Sequence, residues 1–97
     1  VVKIGNTSGR DGDKFRAVRL EPVAAEQVAP PLIAECFANL ECKVTDTRMV
    51  QKYNLFVLEV VKAWIDPAQK RPKIIHHHGY GRFAVDGPMI KFKSRMR

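Results

Sequence analysis

The fold class of this chain is decided by residues 31–66, PLIAECFANLECKVTDTRMVQKYNLFVLEVVKAWID. Its last part, 54–65, alternates between two faces that are both mostly apolar, and it contains no Gly or Pro. One face carries Leu55, Val57, Glu59 and Val61, and the other carries Phe56, Leu58, Val60 and Lys62. Strands that are apolar on both faces are covered on both faces. The pattern therefore predicts strands of a barrel or a dimer interface rather than a lone surface hairpin.

The composition limits the chain to one globular domain at most. It has 97 residues, of which 45% are hydrophobic and 28% charged, and this excludes a disordered chain. No apolar run is long enough to cross a membrane, and the first residues lack the apolar core of a secretory signal. Because the chain does not begin with Met, we expect it to be processed, cleaved or only part of its gene product.

The two cysteines, Cys36 and Cys42, do not have the spacing of a zinc knuckle, which places two to four residues between its ligands and needs a second pair. We interpret both as small buried hydrophobic residues. A disulfide would require a tight turn at Ala38–Asn39 and is the less favoured alternative. The cysteine content favours a reducing, cytoplasmic setting.

The net charge of +7 resides in the last third of the chain. Residues 67–97 hold eight basic side chains against a single acid, Asp86, whereas the earlier segments are balanced. In the segment 90–97, IKFKSRMR, basic residues alternate with other residues, which predicts an edge strand guarded by Lys and Arg. Attraction of an anionic ligand is the next interpretation, and nucleic-acid binding is the least favoured of the three.

The remaining elements follow from turn residues and local periodicity. We expect a short strand or loop over Val1–Thr7, one short helix over about Asp13–Arg19, an extended connector over 22–31 and a turn at Met49–Tyr53. The predicted strand segments are Leu32–Cys36, Leu40–Thr45, Asn54–Ile65, Ile74–His78 and Arg82–Val85. The chain is therefore predicted to be mainly β with one short helix.

Two segments are candidates for chemistry. The loop 8–15, SGRDGDKF, combines glycines with Arg10 and Lys14, a pattern compatible with an anion site and also with an ordinary loop and helix cap. The run His76–His78 offers imidazoles, but neighbouring side chains of a strand face opposite sides and no acidic or thiol cluster lies nearby, so we predict no metal site.

The charged and aromatic residues inside the strands are interpreted structurally. Glu35, Glu41 and Glu59 must be paired, hydrogen-bonded or exposed. Lys43 and Lys62 are the cross-strand partners that we expect for them. Trp64 is expected in a core or an interface, although such a ring can also stack on a flavin.

Taken in order, the blocks SGRDGDKF, PLIAECFANLECKV, NLFVLEVVKAWID and IIHHHGYGRFAVDG resemble the flavin reductase-like family, especially its flavoredoxin-like members. The resemblance covers about Thr7–Gly87. It implies a split β-barrel of the FMN-binding type, usually a homodimer with the flavin near the subunit interface. It also implies reduction of flavin by NADH or NADPH, or electron transfer from bound FMN.

Carried over by position, the resemblance puts Ser8, Gly9 and Arg10 near the flavin and gives Lys14 a charge contact with its phosphate or a ring carbonyl. His76 and His77 occupy a stretch that approaches the flavin or nicotinamide in some members. The resemblance assigns no catalytic side chain and no metal ligand.

Family members are nearly twice this length, so the resemblance makes residues 1–97 the C-terminal part of a single domain and about half of the full barrel. The expected partners are a second copy in a homodimer or the complementing N-terminal half of the same domain, together with the flavin and the nicotinamide nucleotide. No membrane partner is expected, and nucleic acid is disfavoured. One alternative is a non-enzymatic barrel that binds nucleic acid or a partner through the basic last third, where Tyr80 and Phe92 are interleaved with the charge. Another is a structural half that completes a barrel without catalysis.

Overall fold

The fold is given by a computed structural model, which describes residues 1–96. Its helices are α1 (Val2–Gly5), α2 (Lys14–Val18) and α3 (Val50–Tyr53), with a 3-10 turn at Gly9–Asp11. Its strands are β1 (Pro22–Val23), β2 (Leu32–Ile33), β3 (Ala38–Asp46), β4 (Val57–Ile65), β5 (Ile75–Gly79) and β6 (Arg82–Val85). They pair as three separate antiparallel two-stranded sheets, β1–β2, β3–β4 and β5–β6. The mainly β prediction is confirmed, and the sheets of the described residues do not close.

The β3–β4 hairpin is the largest unit, with nine residues in each strand. Its register pairs Cys42 with Val60 and Val44 with Leu58, so these four apolar side chains form cross-strand pairs on the sheet. Register shifts after Glu41 and after Val44 mark irregularities of the bulge type, which increase the local twist. The hairpin therefore confirms the strands predicted for 40–45 and 54–65, with β4 beginning at Val57 rather than at residue 54.

Helix α2 has an N-terminal cap of a type that its sequence provides. The carboxylate of Asp13 accepts a hydrogen bond from the Phe15 amide at 2.9 Å, which caps the first turn. Arg19 ends the helix in the left-handed region at φ 58°. The predicted helix over about Asp13–Arg19 is thus confirmed to within one residue at each end.

The prediction of a single helix is wrong. Residues 2–5 form α1 instead of a strand or loop, because Gly5 and Asn6 donate backbone hydrogen bonds to Val1 and Val2 at 3.0 Å each. The expected turn before β4 contains the single helical turn α3, which ends at Asn54 with φ 51°. Asn tolerates this left-handed conformation and is a frequent helix C-terminal residue.

Two further predictions are corrected by the structure. The basic segment forms no strand in its described part, residues 90–96, since no neighbouring strand pairs with it there. Cys36 is exposed and Cys42 half-buried, both as free thiols, so neither is the buried hydrophobic residue that we expected. The reason is general, because no apolar side chain of the described residues is buried.

Residues 1–96 contain no hydrophobic core. The accessible surface of the chain is 9334 Å², whereas a compact protein of this mass exposes about 5,600 Å². Its radius of gyration is 16.7 Å, against about 12.5 Å for a compact domain of this length. Apolar side chains on both faces of β4 remain exposed, for example Val57 at 41% and Val60 at 52%. Both comparisons indicate surface that a folded protein covers with further structure.

The tip of the β5–β6 hairpin holds an aromatic residue in an unfavourable backbone conformation. Tyr80 and Gly81 have φ of 53° and 70°, the arrangement of a type I′ turn, and the Tyr80 side chain is 99% exposed. Glycine suits this turn, but tyrosine does not, because its Cβ is crowded in the left-handed region. The turn therefore carries local strain at Tyr80.

We expect Tyr80→Asn to stabilise the protein by about 1 kcal/mol, because Asn-Gly is the preferred pair for such a turn. Urea unfolding of the two proteins would measure the difference. Tyr80→Val is the matched control, since a β-branched residue makes the left-handed conformation less favourable and should destabilise. Equal stability of Tyr80→Asn and Tyr80→Val would contradict the assignment of strain to this turn.

No helix among the described residues has both the length and the apolar character needed to cross a membrane.

Candidate functional site

The loop Ser8–Lys14 is shaped by its own short-range hydrogen bonds. The hydroxyl of Ser8 accepts a hydrogen bond from the Arg10 amide at 3.2 Å, and the Asp11 amide donates to the Ser8 carbonyl at 3.1 Å. Gly12 follows with φ 154° and ψ 179°, a conformation that residues other than glycine rarely adopt. The loop thus turns sharply and presents Arg10 and Lys14 within five residues of each other.

Arg10 and Lys14 have no acidic partner in the part of the chain that the structure describes. Neither Arg10 nor Lys14 forms an ion pair among residues 1–96, although Asp11 and Asp13 lie between them in sequence. The ammonium group of Lys14 donates one hydrogen bond, to the Ile4 carbonyl at 2.9 Å, which leaves two of its three donors for another group. The donors present in this loop therefore suit a phosphate.

The two predicted histidines lie on β5 and face opposite sides of its hairpin. The His77 ring stacks on Phe83, with ring centroids 4.8 Å apart. His76 Nε2 lies 3.3 Å from Asp86 Oδ1, and Asp86 Oδ2 accepts a hydrogen bond from the Ile74 amide. Each imidazole is thus held by a neighbour on its own hairpin.

The structure groups Ser8, Gly9, Arg10 and Lys14 in one loop, but it does not join this loop to the histidines. In the described part of the chain no hydrogen bond or ion pair connects residues 8–14 with β5 or β6. Within residues 1–96 no three His, Cys, Asp or Glu side chains are gathered as metal ligands.

The most highly organised polar site was not predicted from the sequence. Glu41 on β3 is the only buried residue of the described chain, at 1% exposure. Its Oε1 accepts hydrogen bonds from the amides of Glu26, Gln27 and Val28 at 3.1, 2.5 and 3.2 Å. Its Oε2 accepts one from the Trp64 indole at 2.6 Å. A single carboxylate therefore attaches the 26–28 segment to the β3–β4 hairpin, and we call this arrangement the Glu41 latch.

The latch sets the ionisation of its carboxylate. Burial raises the pKa of Glu41, but the hydrogen bonds from Trp64 and from the three amides lower it by more than burial raises it. The pKa therefore lies below its ordinary value of 4.5. Glu41 is consequently ionised at neutral pH. A carboxylate that accepts several N–H donors is a strong, charge-assisted anchor.

An ion pair between Lys62 and Glu26 lies beside the latch. The ammonium group of Lys62 lies 2.6 Å from Glu26 Oε2 and 4.7 Å from the centre of the Trp64 ring. This gives Trp64 a cation on one face and a hydrogen-bond acceptor at its edge, while 38% of its surface stays exposed. Trp64 is therefore fixed in position with part of its ring available to a neighbour.

The prediction that Lys43 and Lys62 pair with the strand carboxylates is wrong, because the structure gives two of these carboxylates other hydrogen-bond partners. Although Glu41 and Lys62 are register partners, Glu41 binds backbone amides and Lys62 pairs with Glu26. Glu35 likewise accepts a hydrogen bond from the Glu21 amide at 2.9 Å. The sequence feature that could have indicated the Glu41 latch is the connector over residues 22–31. An irregular segment leaves unpaired backbone amides, which nearby carboxylates can bind.

Comparison with known proteins matches residues 1–84 to the family model described as "Flavin reductase like domain". Two similar curated proteins are described only as uncharacterized: YddH of Escherichia coli (strain K12) and a protein of Archaeoglobus fulgidus. The first is 29% identical over 90% of this chain and 52% of its own length. The second is 33% identical over 84% of this chain and 50% of its own length. The chain spans about half the length of the curated relatives it matches.

Proposed function

This chain belongs to the family with a flavin reductase like domain, and from this premise we propose that it is the C-terminal part of an FMN-binding oxidoreductase. The proposed reaction is reduction of the flavin by NADH or NADPH, or transfer of electrons from bound FMN to an acceptor. The family match supports flavin binding at the level of the family. The observation on this chain that supports the proposal is the loop Ser8–Lys14, whose cations Arg10 and Lys14 form no ion pair among residues 1–96.

The donors of this loop suit the phosphate of FMN. Lys14 has two free N–H donors, and Arg10 offers a guanidinium that is not used by an acid among residues 1–96. Ser8 and Gly9 bring backbone close to the same place, and a side chain at Gly9 would reach the Lys14 side chain at about 4.0 Å. We propose that Ser8, Gly9, Arg10 and Lys14 bind the phosphate end of the cofactor.

The flavin, when bound, supplies hydride and electron chemistry, and the protein orients it and adjusts the charge around its ring. In this chain the positive charge of Lys14 favours the dianionic form of the phosphate beside it. His76, held by Asp86, and His77, held by Phe83, belong to the proposed site only if the completed domain brings β5 to the loop. The proposal assigns no proton transfer to either.

We also propose that the strands described above form part of a split barrel completed by another polypeptide segment. The supporting observation is the excess exposed surface, about 3,700 Å² relative to a compact chain of this mass. A partner would bury a similar area, so an interface that covered all of this surface would lie at or above the roughly 2,000–5,000 Å² that obligate interfaces bury from both partners together. Because the relatives are about twice as long as the matched region, the N-terminal half of the same domain is the first candidate, and a second copy in a homodimer would cover the remaining face.

The proposal is tested by purifying the complete domain and titrating it with FMN. A bound flavin that NADH or NADPH bleaches without oxygen would support the proposed reaction. A well-folded complete domain that retains no FMN at micromolar concentrations would exclude it.

We expect Lys14→Gln in the complete domain to weaken FMN binding by roughly 10- to 100-fold, because one charge-assisted contact to the phosphate is lost. Riboflavin, which has no phosphate, should bind the variant and the unmodified protein equally. Lys52→Gln, which removes the same charge from α3, is the matched control and should leave both affinities unchanged. An equal loss of FMN and riboflavin affinity in Lys14→Gln would contradict a phosphate contact.

A further inference from the structure

A cleft of about 880 Å³ lies between two segments of the last third of the chain. Residues 70–74 form one wall and residues 86–90 form the other. Its size is that of a small-molecule site, since such sites measure about 300–1,000 Å³. The second wall lies beyond residues 1–84, the part matched by the family model, so the cleft combines matched and unmatched segments of this chain.

The two walls are joined at their base by Asp86. Its amide donates to the Ile74 carbonyl at 3.0 Å, and its Oδ2 accepts from the Ile74 amide at 3.3 Å. Its Oδ1 lies 3.3 Å from His76 Nε2. Both oxygens of the single acidic side chain of residues 67–97 are thus engaged, and Asp86 forms no ion pair with a Lys or Arg among the described residues.

Lys70, Arg71 and Lys73 line the first wall with no ion pair among the described residues. The second wall is apolar at its end, where Met89 is 94% exposed and Ile90 77% exposed. Three cations and an apolar surface in the lining of one cleft complement a ligand that has both an anionic group and a flat apolar ring. A phosphorylated nucleoside has this composition.

We propose that this cleft binds the phosphorylated adenosine half of the nicotinamide donor and selects the donor that carries a 2′-phosphate. The inference rests on the proposed function for its identification of the donor. The adenine contacts Met89 and Ile90, and the 2′-phosphate lies against Arg71 and its neighbouring lysines. An Arg close to the ribose is the feature that accommodates this phosphate in other dinucleotide sites.

The lining favours a single nucleotide over a nucleic-acid strand. Proteins that hold single strands stack successive bases on aromatic side chains, and no aromatic side chain lines the cleft. The two aromatic residues of the basic third that are most exposed, Tyr80 and Phe92, lie outside it.

The test is calorimetric titration of the complete domain, without flavin, with adenosine 2′,5′-bisphosphate and with 5′-AMP. We expect the bisphosphate to bind at least about tenfold more tightly, as charge-assisted contacts to one further phosphate allow. The triple variant Lys70→Gln/Arg71→Gln/Lys73→Gln should abolish this preference. The control variant Arg16→Gln/Lys43→Gln/Lys52→Gln removes the same charge elsewhere and should retain it.

Three results would overturn the inference. These are equal affinity for the two nucleotides, equal loss of preference in both triple variants, and tighter binding of a single-stranded oligonucleotide that depends on the same three cations. Because the titration contains no flavin, it fails or succeeds separately from FMN binding. A protein that binds FMN but does not distinguish the two nucleotides would retain the proposed function and exclude this cleft as the donor site.

Discussion

The chain of residues 1–97, produced alone, is expected to bind FMN roughly 100-fold or more weakly than the complete domain. None of its described apolar side chains is buried, so little free energy opposes the conformational entropy of the chain. If only about 1% of the molecules adopt the binding conformation, the apparent affinity falls by the same factor. Fluorescence titration of FMN against the two proteins measures the difference.

Adding the complementing N-terminal half should restore both compactness and affinity. The small-angle X-ray scattering curve of the mixture should depart from the sum of the curves of the separate pieces toward that of one compact particle, and binding of a hydrophobic dye should decrease. Val60→Asp, on an exposed apolar position of β4, should prevent this complementation, because it places a charge in the new interface. Glu59→Gln on the same strand is the control. FMN affinity of the isolated chain equal to that of the complete domain would contradict the need for a second half.

Glu41→Gln is expected to lower the melting temperature of the complete domain by roughly 5–10 °C, because several charge-assisted hydrogen bonds are replaced by weaker ones. An amide group has one acceptor oxygen, and its NH₂ group would face donors that now bind Glu41 Oε1 or Oε2. Glu59→Gln is again a matched control, since Glu59 accepts no hydrogen bond among the described residues. Equal melting temperatures for the two variants would show that the Glu41 latch contributes nothing.

The effect of Glu41→Gln should depend on pH in a defined direction. The folded protein lowers the pKa of Glu41 below 4.5, so the latch stabilises the fold fully above this value. The stabilisation is lost as pH falls through the folded pKa. The difference in melting temperature between the unmodified protein and Glu41→Gln should therefore be constant near neutral pH and shrink below pH 4.5. A difference that grew on acidification would have the wrong sign for this mechanism.

A spectroscopic signal follows from the same contact. Trp64 is the only tryptophan of this chain, and its indole donates to Glu41. Labelling this chain with 5-fluorotryptophan before complementation makes the ¹⁹F resonance specific to Trp64. The resonance should move in Glu41→Gln and stay in place in Glu59→Gln.

Periodicity and turn residues were sufficient to predict helix α2 and the strands β3 to β6. The alternation in 54–65 predicted β4, and local patterns predicted the strand segments Ile74–His78 and Arg82–Val85 that form β5 and β6. The position of helix α2 was also predicted from local signals, but the residues that cap it, Asp13 and Arg19, were not. The helices α1 and α3 were missed because each is a single turn, for which periodicity gives no signal.

The Glu41 latch was not predictable in the same way. Its carboxylate binds amides 13 to 15 residues away and an indole 23 residues away. Every residue except proline has a backbone amide, so the residue types at 26–28 do not indicate that their amides bind a carboxylate. Only the path of the connector brings these amides to β3. The loop Ser8–Lys14 was found because its glycines and cations are adjacent in sequence, whereas its relation to the histidines depends on structure beyond the three separate sheets.

The Glu41 latch also implies an order of folding. The connector around residues 26–28 reaches the β3–β4 hairpin through Glu41, Trp64 and Lys62, which are brought together only when the two strands have paired. Before that pairing, its amides have no assembled acceptor and the segment remains free. We therefore expect β3–β4 to form early and the connector to become ordered late. Hydrogen exchange should accordingly be slower at the amides of the hairpin than at those of Gln27 and Val28.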